Sequence, residues 1–523
     1  MSRRGSPRPP LALLVPAPIV VALLLLPLVY LCVRALGGDA WDVLARERTF
    51  ELVLNTTLLV AGVVVATLLV GVPLAWLVTR SDVPGRRIWM VAGALPLVIP
   101  SYVAALVLLA ALGPRGLLAD AVGGLPELRG YWGAVLALTL ATYPYVFLLS
   151  VTALRALDPA LEEAARGLGR SPFATFATVT LPSIRSALGA SALLVALYVL
   201  SDFGVVSLMN YDALTRAIFL QYRSLFDRDP AAVLALVLVA LTAVVLVLEG
   251  RVHRGRLYRS TPGTPRRATR VRLGRWRLPA LAFCVATIGT FLAMPVAVLT
   301  YWLVRGLREG RELSLPWQEA VNSLSASGLA AVVATVAAIP IAVLAVRYAS
   351  PASRVLERAS FAANALPGIV VALSLVFFAA RYATPIYQTL ALLVFAYVVR
   401  FLPQALAGSE SALRRVDPHV EEAARSLGRK PLGVLTSVTL PLAWPGIAAG
   451  AALVFLSAMK ELPATLLLRP IGFDTLATEI WSLTSVAAYS RAAVPALTLV
   501  AVSAPLLALL LRTGPSGSAP RVE

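Results

Sequence analysis

Lysine is nearly missing from this chain: Lys430 and Lys460 are the only two in 523 residues, although lysine and arginine together number 46. Neither stands in G-x-x-x-x-G-K-[ST], so the loop that would cradle nucleotide phosphates is absent and the chain cannot split ATP through a P-loop of its own. Histidine is as scarce. His253 lies in a basic stretch and His419 beside a repeated segment, which leaves no cluster with metal-ligand spacing. The two cysteines, Cys32 and Cys284, fall in apolar runs, where they read as lone thiols and exclude a disulfide framework. Charged residues make up only 14% of the chain, and no nucleophile, metal or acid–base constellation stands out for an enzyme.

What is present is apolar surface. Hydrophobic residues reach 59% and mean hydropathy is +0.81, more than a soluble core of this length needs, and the chain reads as a polytopic membrane protein. Runs of about twenty apolar residues, enough to cross a hydrocarbon core of about 30 Å, recur about twelve times. The first six lie near Leu11–Arg34, Leu52–Val78, Ile88–Leu112, Tyr131–Val151, Leu181–Gly204 and Ala231–Leu248. The second six lie near Leu278–Leu303, Leu324–Val346, Phe361–Ala380, Ile386–Phe401, Leu440–Ser457 and Ala492–Leu511. The first run has no small-residue cleavage site and continues past Pro16 and Pro27, so it reads as a retained helix.

Arginine sets the orientation, because short basic loops stay on the cytoplasmic side. With Arg3, Arg4 and Arg8 inside, the even-numbered loops are inside too, and they carry Arg80, Arg86, Arg87, Arg166, Arg170, Arg347, Arg354, Arg358, Arg425 and Arg429. Both termini are then cytoplasmic. The net charge of +19 is mostly this topology signal, and nucleic acid is not an expected partner. The arginine-rich stretch between Arg251 and Arg277, interrupted by Pro262, Gly263 and Pro265, reads as a cytoplasmic linker lying on anionic lipid headgroups. The expected organisation is a tail over 1–10, a first half over 11–250, the linker over 251–278, a second half over 279–512 and a tail over 513–523.

The strongest internal signal is a sentence written twice. EEAARGLGRSPFATFATVTLP begins at Glu162 and EEAARSLGRKPLGVLTSVTLP at Glu421, an ungapped offset of 259 residues, with 15 identities across the 25 positions from Asp158 to Pro182. Asn55 with Pro73 corresponds to Asn322 with Pro340, and Pro144 to Pro403. An even number of helices per half puts both halves in the same orientation, a parallel repeat about an axis along the membrane normal. Within each copy Asp158 or Asp417 can cap a helix that starts on Pro159 or Pro418, with glutamates near the positive end of its dipole. Glu162, Arg166 and Arg170 are spaced four apart, on one polar face. Gly169 and Gly428 suit a left-handed C-cap, and Pro172 and Pro431 discourage continuation. A single such segment could be a charged interfacial loop; two copies conserved against drifting spans argue for a shared docking role.

The pattern Glu-Ala-Ala, three residues, Gly, nine residues, an aliphatic residue, one residue, Leu-Pro resembles the cytoplasmic signature of importer-type ABC transporter permeases. It is carried by Glu163-Ala164-Ala165, Gly169, Val179 and Leu181-Pro182, and again by Glu422-Ala423-Ala424, Gly428, Val438 and Leu440-Pro441. The resemblance implies an all-α polytopic fold of about 12 transmembrane helices in two homologous parallel halves, the MetI-like fold, in the inner membrane. It implies that each short helix is a coupling helix seated on an ATP-hydrolysing subunit, through Glu163, Gly169, Glu422 and Gly428. Ala164, Ala165, Arg166, Ala423, Ala424 and Arg425 are further expected contacts. The chain then forms its own pseudo-dimer, seats two ATPase copies that bind ATP and Mg, works with an extracytoplasmic substrate-binding protein and holds no cofactor itself.

Substrate class rests on MKELPATLLLRPIGFDTLATEIW from Met459 and its counterpart SDFGVVSLMNYDALTRAIF from Ser201, which together with the fused layout resemble ferric-iron permeases. Permeases for thiamine, phosphonate and polyamine share the layout. Asp202 and Glu461 each follow a helix-starting proline by twenty residues, about 30 Å of helix, and are expected at the outer mouth, solvated or ion-paired, with Lys460 one candidate partner. Asp202, Lys460 and Glu461 are also candidates for an outer gate or a binding-protein contact. Tyr102, Tyr143 and Tyr198 are compatible with iron passage and read first as interface anchors; Asn55, Asn322 and Asn364 read as helix-packing groups. A secondary transporter of the major-facilitator kind is the rival reading, since Asp82, Gly85, Arg86 and Arg87 echo part of that group's loop signature.

Overall fold

The computed structural model describes residues 9–36, 40–113, 116–117, 128–223, 229–253, 270–310, 314–363 and 366–513. Arg3, Arg4, Arg8 and Asn364, most of the basic linker and almost all of the C-terminal tail lie outside the described residues.

Among the described residues nine helices are long and apolar enough to cross a membrane: Leu11–Ala35, Glu47–Arg80, Gly130–Ala156, Pro230–Leu248, Gly274–Arg308, Trp317–Arg347, Leu390–Arg415, Pro431–Met459 and Tyr489–Leu506. Two bent pairs, Arg86–Val98 with Ser101–Leu112 and Pro172–Ser183 with Arg185–Ser201, fill the third and fifth places, and the shorter Gly368–Tyr382 fills the ninth. The twelve runs therefore correspond to twelve membrane elements, in two sets of six. The only β feature among the described residues is an isolated parallel bridge between Ser81 and Val271.

Three runs expected to be single spans are not straight. The third turns by 96° where Pro96 and Pro100 remove backbone donors and Pro100 becomes the N-cap of Ser101–Leu112. The ninth divides into Pro351–Ala362 and Gly368–Tyr382, and Pro367 caps the second piece in the same way. The fifth turns by 69° at Ile184, just after a π-turn over Phe176–Thr180. Its counterpart has the same π-turn over Leu435–Thr439 but runs on without a break.

Each half is built on its second, fourth and fifth spans, and small residues let those backbones close up. A Cβ on Gly408 would lie 2.8 Å from the Cα of Gly450, and one on Gly446 would lie 2.6 Å from the Cβ of Ala412, so the tenth and eleventh spans meet along a Gly and Ala seam. The outer faces are apolar too: Val65, Leu69, Val332 and Val336 are all more than half exposed, which suits lipid rather than water.

The first helix of each half lies against the other half. Ser374 Oγ donates to the Pro27 carbonyl at 2.6 Å and Tyr30 Oη to the Phe377 carbonyl at 3.3 Å. In the reverse sense Trp302 Nε1 donates to the Ala110 carbonyl at 3.0 Å, and Phe291 packs on Tyr143 with ring centroids 5.0 Å apart. Tyr143 is thus a buried residue in the middle of its helix rather than an interface anchor. Cys284 is buried and Cys32 partly so, and both are free thiols.

Candidate functional site

The duplicated sentence folds twice into one device. Asp158 accepts a hydrogen bond from Ala160 N at 3.0 Å to start the nine-residue helix Pro159–Gly167, and Asp417 does the same from His419 N at 3.0 Å for Pro418–Ser426. Gly169 and Gly428 both have φ of +83°, the left-handed region that favours glycine. The following N–H groups turn back: Gly169 N to Arg166 O at 3.0 Å and Arg170 N to Ala165 O at 3.2 Å, with Gly428 and Arg429 repeating the pattern at 2.9 and 3.3 Å. This is a Schellman-type stop.

What seats each helix on the chain is an arginine from the end of the second span of the same half. Arg80 Nε lies 3.1 Å from Glu162 Oε2, while its Nη2 donates to the carbonyls of Leu154 and Leu157 at 2.8 and 3.2 Å. Arg347 Nε donates to Glu421 Oε1 at 2.7 Å, and its Nη2 reaches the carbonyls of Leu413 and Val416, both at 2.9 Å. One guanidinium therefore holds the first glutamate of the short helix and the orphan carbonyls that end the fourth span. Thr180 and Thr439 hydroxyls donate to the same carboxylates at 2.8 and 3.1 Å. Both glutamates are buried, at 5% and 4% exposure.

This corrects the expected polar face. Glu162 points into the protein toward Arg80, whereas Arg170 turns outward and donates to Thr178 Oγ1 at 2.6 Å. Ala165 and Ala424 are buried on the inner side of the helix, Arg166 and Arg425 are half-buried, and Ala164 and Ala423 are exposed. Glu163 is half-buried and Glu422 exposed. The outermost feature of each copy is apolar: Leu168 and Leu427 are each 84% exposed, next to the left-handed glycines, with Phe173 at 79% and Leu432 at 45% close behind. Beside each clamp is a small, partly open cavity of about 10 Å³, room for about one water. Val271 closes the first and Pro10 with Leu13 the second.

A second cluster lies where the halves meet. Asp202 is buried at 8% exposure, accepts from Ser101 Oγ at 2.5 Å and from Val205 N at 2.9 Å, and its carbonyl accepts from Thr215 Oγ1 at 2.7 Å. Glu461, 5% exposed, pairs with Arg400 at 2.5 Å and accepts from Ala464 N at 3.1 Å. Lys460 does not pair with Glu461. Its Nζ donates to the Leu97 carbonyl of the first half at 2.6 Å. Both carboxylates are thus buried rather than solvated, and Glu461 takes the ion-paired alternative with Arg400, eleven residues into Leu390–Arg415, in place of Lys460. Tyr102 is buried against Gly204, and Tyr198 packs on Tyr145 with tilted rings and centroids 6.0 Å apart. Asn322 Nδ2 donates to the Asp474 carbonyl at 2.8 Å, the packing role expected of it; Asp212 pairs with Arg48 at 2.7 Å and with Arg216, and Asp474 with Arg469.

A family model described as the binding-protein-dependent transport system inner membrane component matches residues 67–257 and again 330–513. The chain belongs to that family. The two matched ranges each hold one clamp arginine, one short helix and one member of the Asp202 and Glu461 pair, so this inner membrane component is a multi-pass transport subunit that carries the family's unit twice. It is 34% identical to the Fe(3+)-transport system permease protein FbpB 2 of Haemophilus influenzae over 95% of this chain and 97% of that one. It is 23% identical to the ferric transport system permease protein FbpB of Actinobacillus pleuropneumoniae, over 80% of this chain and 64% of the relative. The sulfate transport system permease protein CysW of Synechocystis is 30% identical over 44% of this chain and 87% of its own length, a relative about the size of one half. Membership in a binding-protein-dependent family sets aside the secondary-transporter reading.

Sequence reasoning on this inner membrane component missed Arg80, Arg347 and Arg400. The first two had a legible signal, since each ends the second span of its half, seven residues past the matched prolines Pro73 and Pro340. Arg400 had none from the repeat, because the matched position is Ala141.

Proposed function

We propose that this chain is the transmembrane permease subunit of an ABC importer for ferric iron, driven by ATP hydrolysis on a separate subunit. The observation that carries the reading is the pair of clamped, capped short helices, alike in both halves, each presenting an exposed leucine beside a left-handed glycine. An exposed apolar tip on a stiffly held helix suits a groove on a partner, and its duplication suits two identical partners, one per half. The halves over 11–250 and 279–512 then act as a pseudo-dimer, with both termini and both short helices on the cytoplasmic side. The Glu163, Ala164, Arg166 and Gly169 set would meet one ATPase copy, with Mg and ATP held there, and the Glu422, Ala423, Arg425 and Gly428 set the other; Ala165 and Ala424 would serve by packing the helix onto the permease. Ferric iron is the substrate suggested by similarity along nearly the whole chain to an Fe(3+)-transport permease. The binding protein would deliver it on the opposite side.

Closure of the ATPase dimer would draw the short helices together, and the clamps would pass that motion into the second and fourth spans as near-rigid bodies. The direct test is uptake of radiolabelled ferric iron by cells lacking this gene, with the wild-type chain returned. Restored uptake is expected, together with co-purification of two ATPase copies per chain. Unchanged iron uptake after deletion under iron limitation, with no second importer present, would overturn the iron assignment and make thiamine or phosphonate the next substrates to assay.

A further inference from the structure

The repeat is broken at its centre, and the break is chemical. Aligning the halves sets Ser101, Ala141, Ser201 and Asp202 of the first against Gly368, Arg400, Lys460 and Glu461 of the second. Both cations of this cluster therefore come from the second half. Both reach across the junction: Arg400 Nη2 donates to Ser201 Oγ at 2.9 Å and Lys460 Nζ to the Leu97 carbonyl at 2.6 Å. The Arg400–Glu461 pair, in contrast, is internal to the second half and the Ser101–Asp202 bond internal to the first.

The halves also pack closely at the same place. A Cβ on Gly204 would lie 2.8 Å from the Tyr102 Cβ and 3.1 Å from Leu462 Cδ2, so glycine lets this backbone close on Tyr102 of its own half while it also meets the second-half leucine. Trp481 of the second half packs on Phe203 and Phe219 of the first, each with centroids 6.2 Å apart. Arg400 is about 15 Å along its helix from Leu390, deep within a span, where ionisable groups are costly and mark pathways. Gly368 is a glycine because a Cβ there would collide with the Arg400 guanidinium and lie 2.6 Å from Glu461 Oε1, so a serine at this place fits only with the guanidinium removed and the carboxylate shifted to accept from it. The Tyr102 hydroxyl is buried with no hydrogen-bond partner among the described residues, a cost of the closed arrangement that separation of the halves would relieve.

We propose that Arg400 and Lys460 form a one-sided latch that closes the translocation path, the second half supplying both donors and the first half only acceptors, Ser201 Oγ and the Leu97 carbonyl. The inference rests on the importer reading. Opening breaks the two crossing bonds while Arg400–Glu461 and Ser101–Asp202 stay intact, so Arg400, Glu461 and Asp202 keep a partner in both states and only Lys460 exchanges the Leu97 carbonyl for water. The latch then sets the resting equilibrium, and the energy of ATP binding is needed to open it.

The test reconstitutes the permease with its ATPase and binding protein in proteoliposomes and measures ATP hydrolysis without binding protein, alongside uptake of radiolabelled ferric iron. The decisive variant is Gly368→Ser with Arg400→Ala, which gives Glu461 the serine partner that Asp202 already has and removes the crossing donor. If Arg400 serves only to satisfy Glu461, this double variant behaves as wild type and the proposal fails. If Arg400 is a latch, hydrolysis without binding protein rises about tenfold or more, the change expected for losing one crossing hydrogen bond to a charged donor. Ser201→Ala with Lys460→Met removes both crossing bonds without touching the Arg400–Glu461 pair and is expected to give a rise at least as large; if the first variant fails to assemble, this one decides in the same terms. A wild-type complex that shows no ATP-dependent uptake refutes the importer reading instead, because the latch is judged only against a working wild type.

Discussion

Replacing Arg347 by methionine is expected to abolish uptake and to lower the thermal midpoint of the purified chain; Arg80→Met should do the same from the other half. Each guanidinium neutralises a carboxylate that is almost wholly buried and satisfies two carbonyls at the end of the fourth span. Breaking a buried pair by removing one partner costs about 3–5 kcal/mol, because Glu421 or Glu162 is left charged in a low-dielectric site. Two carbonyls losing their donor add about 1–3 kcal/mol each. A seated short helix would therefore become on the order of a hundredfold rarer or worse, and uptake should fall in proportion. The comparison that isolates charge from packing is Arg347→Met with Glu421→Leu, which removes both ions. That variant should recover much of the thermal midpoint, since an apolar replacement of a buried pair is often neutral or better. If Arg347→Met alone keeps both midpoint and uptake, the clamp is not what seats the helix.

Valine at both Gly169 and Gly428 is expected to leave a chain that inserts and stays folded but imports nothing. At each glycine an added Cβ would meet no atom within 4 Å, so there is no clash inside the chain. The cost is conformational, about 1–2 kcal/mol per site for a residue with a Cβ in the left-handed region, and greater for a β-branched one. The stop after each short helix would then re-form with another backbone path and carry Leu168 and Leu427 to new positions. Thermal midpoints should shift by only a few degrees while stimulation of ATP hydrolysis by the binding protein disappears. Alanine at both sites should give an intermediate loss. Wild-type uptake in the valine double variant would falsify the coupling role of these helices.

Much of the architecture was legible because it follows from local rules. Twelve apolar runs, the caps at Asp158 and Asp417, the left-handed glycines and the halving of the chain all depend on residue type and short spacing, and the duplication let each copy test the other. The breaks in the third and ninth spans were only half legible: Pro96 and Pro367 mark them, but a proline inside an apolar run can also sit within a continuous helix, as Pro73 and Pro340 do. The polar face of the short helix was misjudged at Glu162. Helical spacing says which residues share a side, and it does not say which way that side turns.

The sequence by itself determined the class of the molecule, its two-fold internal repeat and the form of its paired short helices, because hydropathy, capping chemistry and glycine conformation act within a few residues along the chain. Only the tertiary structure decided what holds those helices and what closes the centre. Arg80 reaches Glu162 across 82 positions, and Arg400 reaches Ser201 across 199, and buried charges choose partners by proximity in space under the penalty of desolvation, a choice that no local pattern in the chain records.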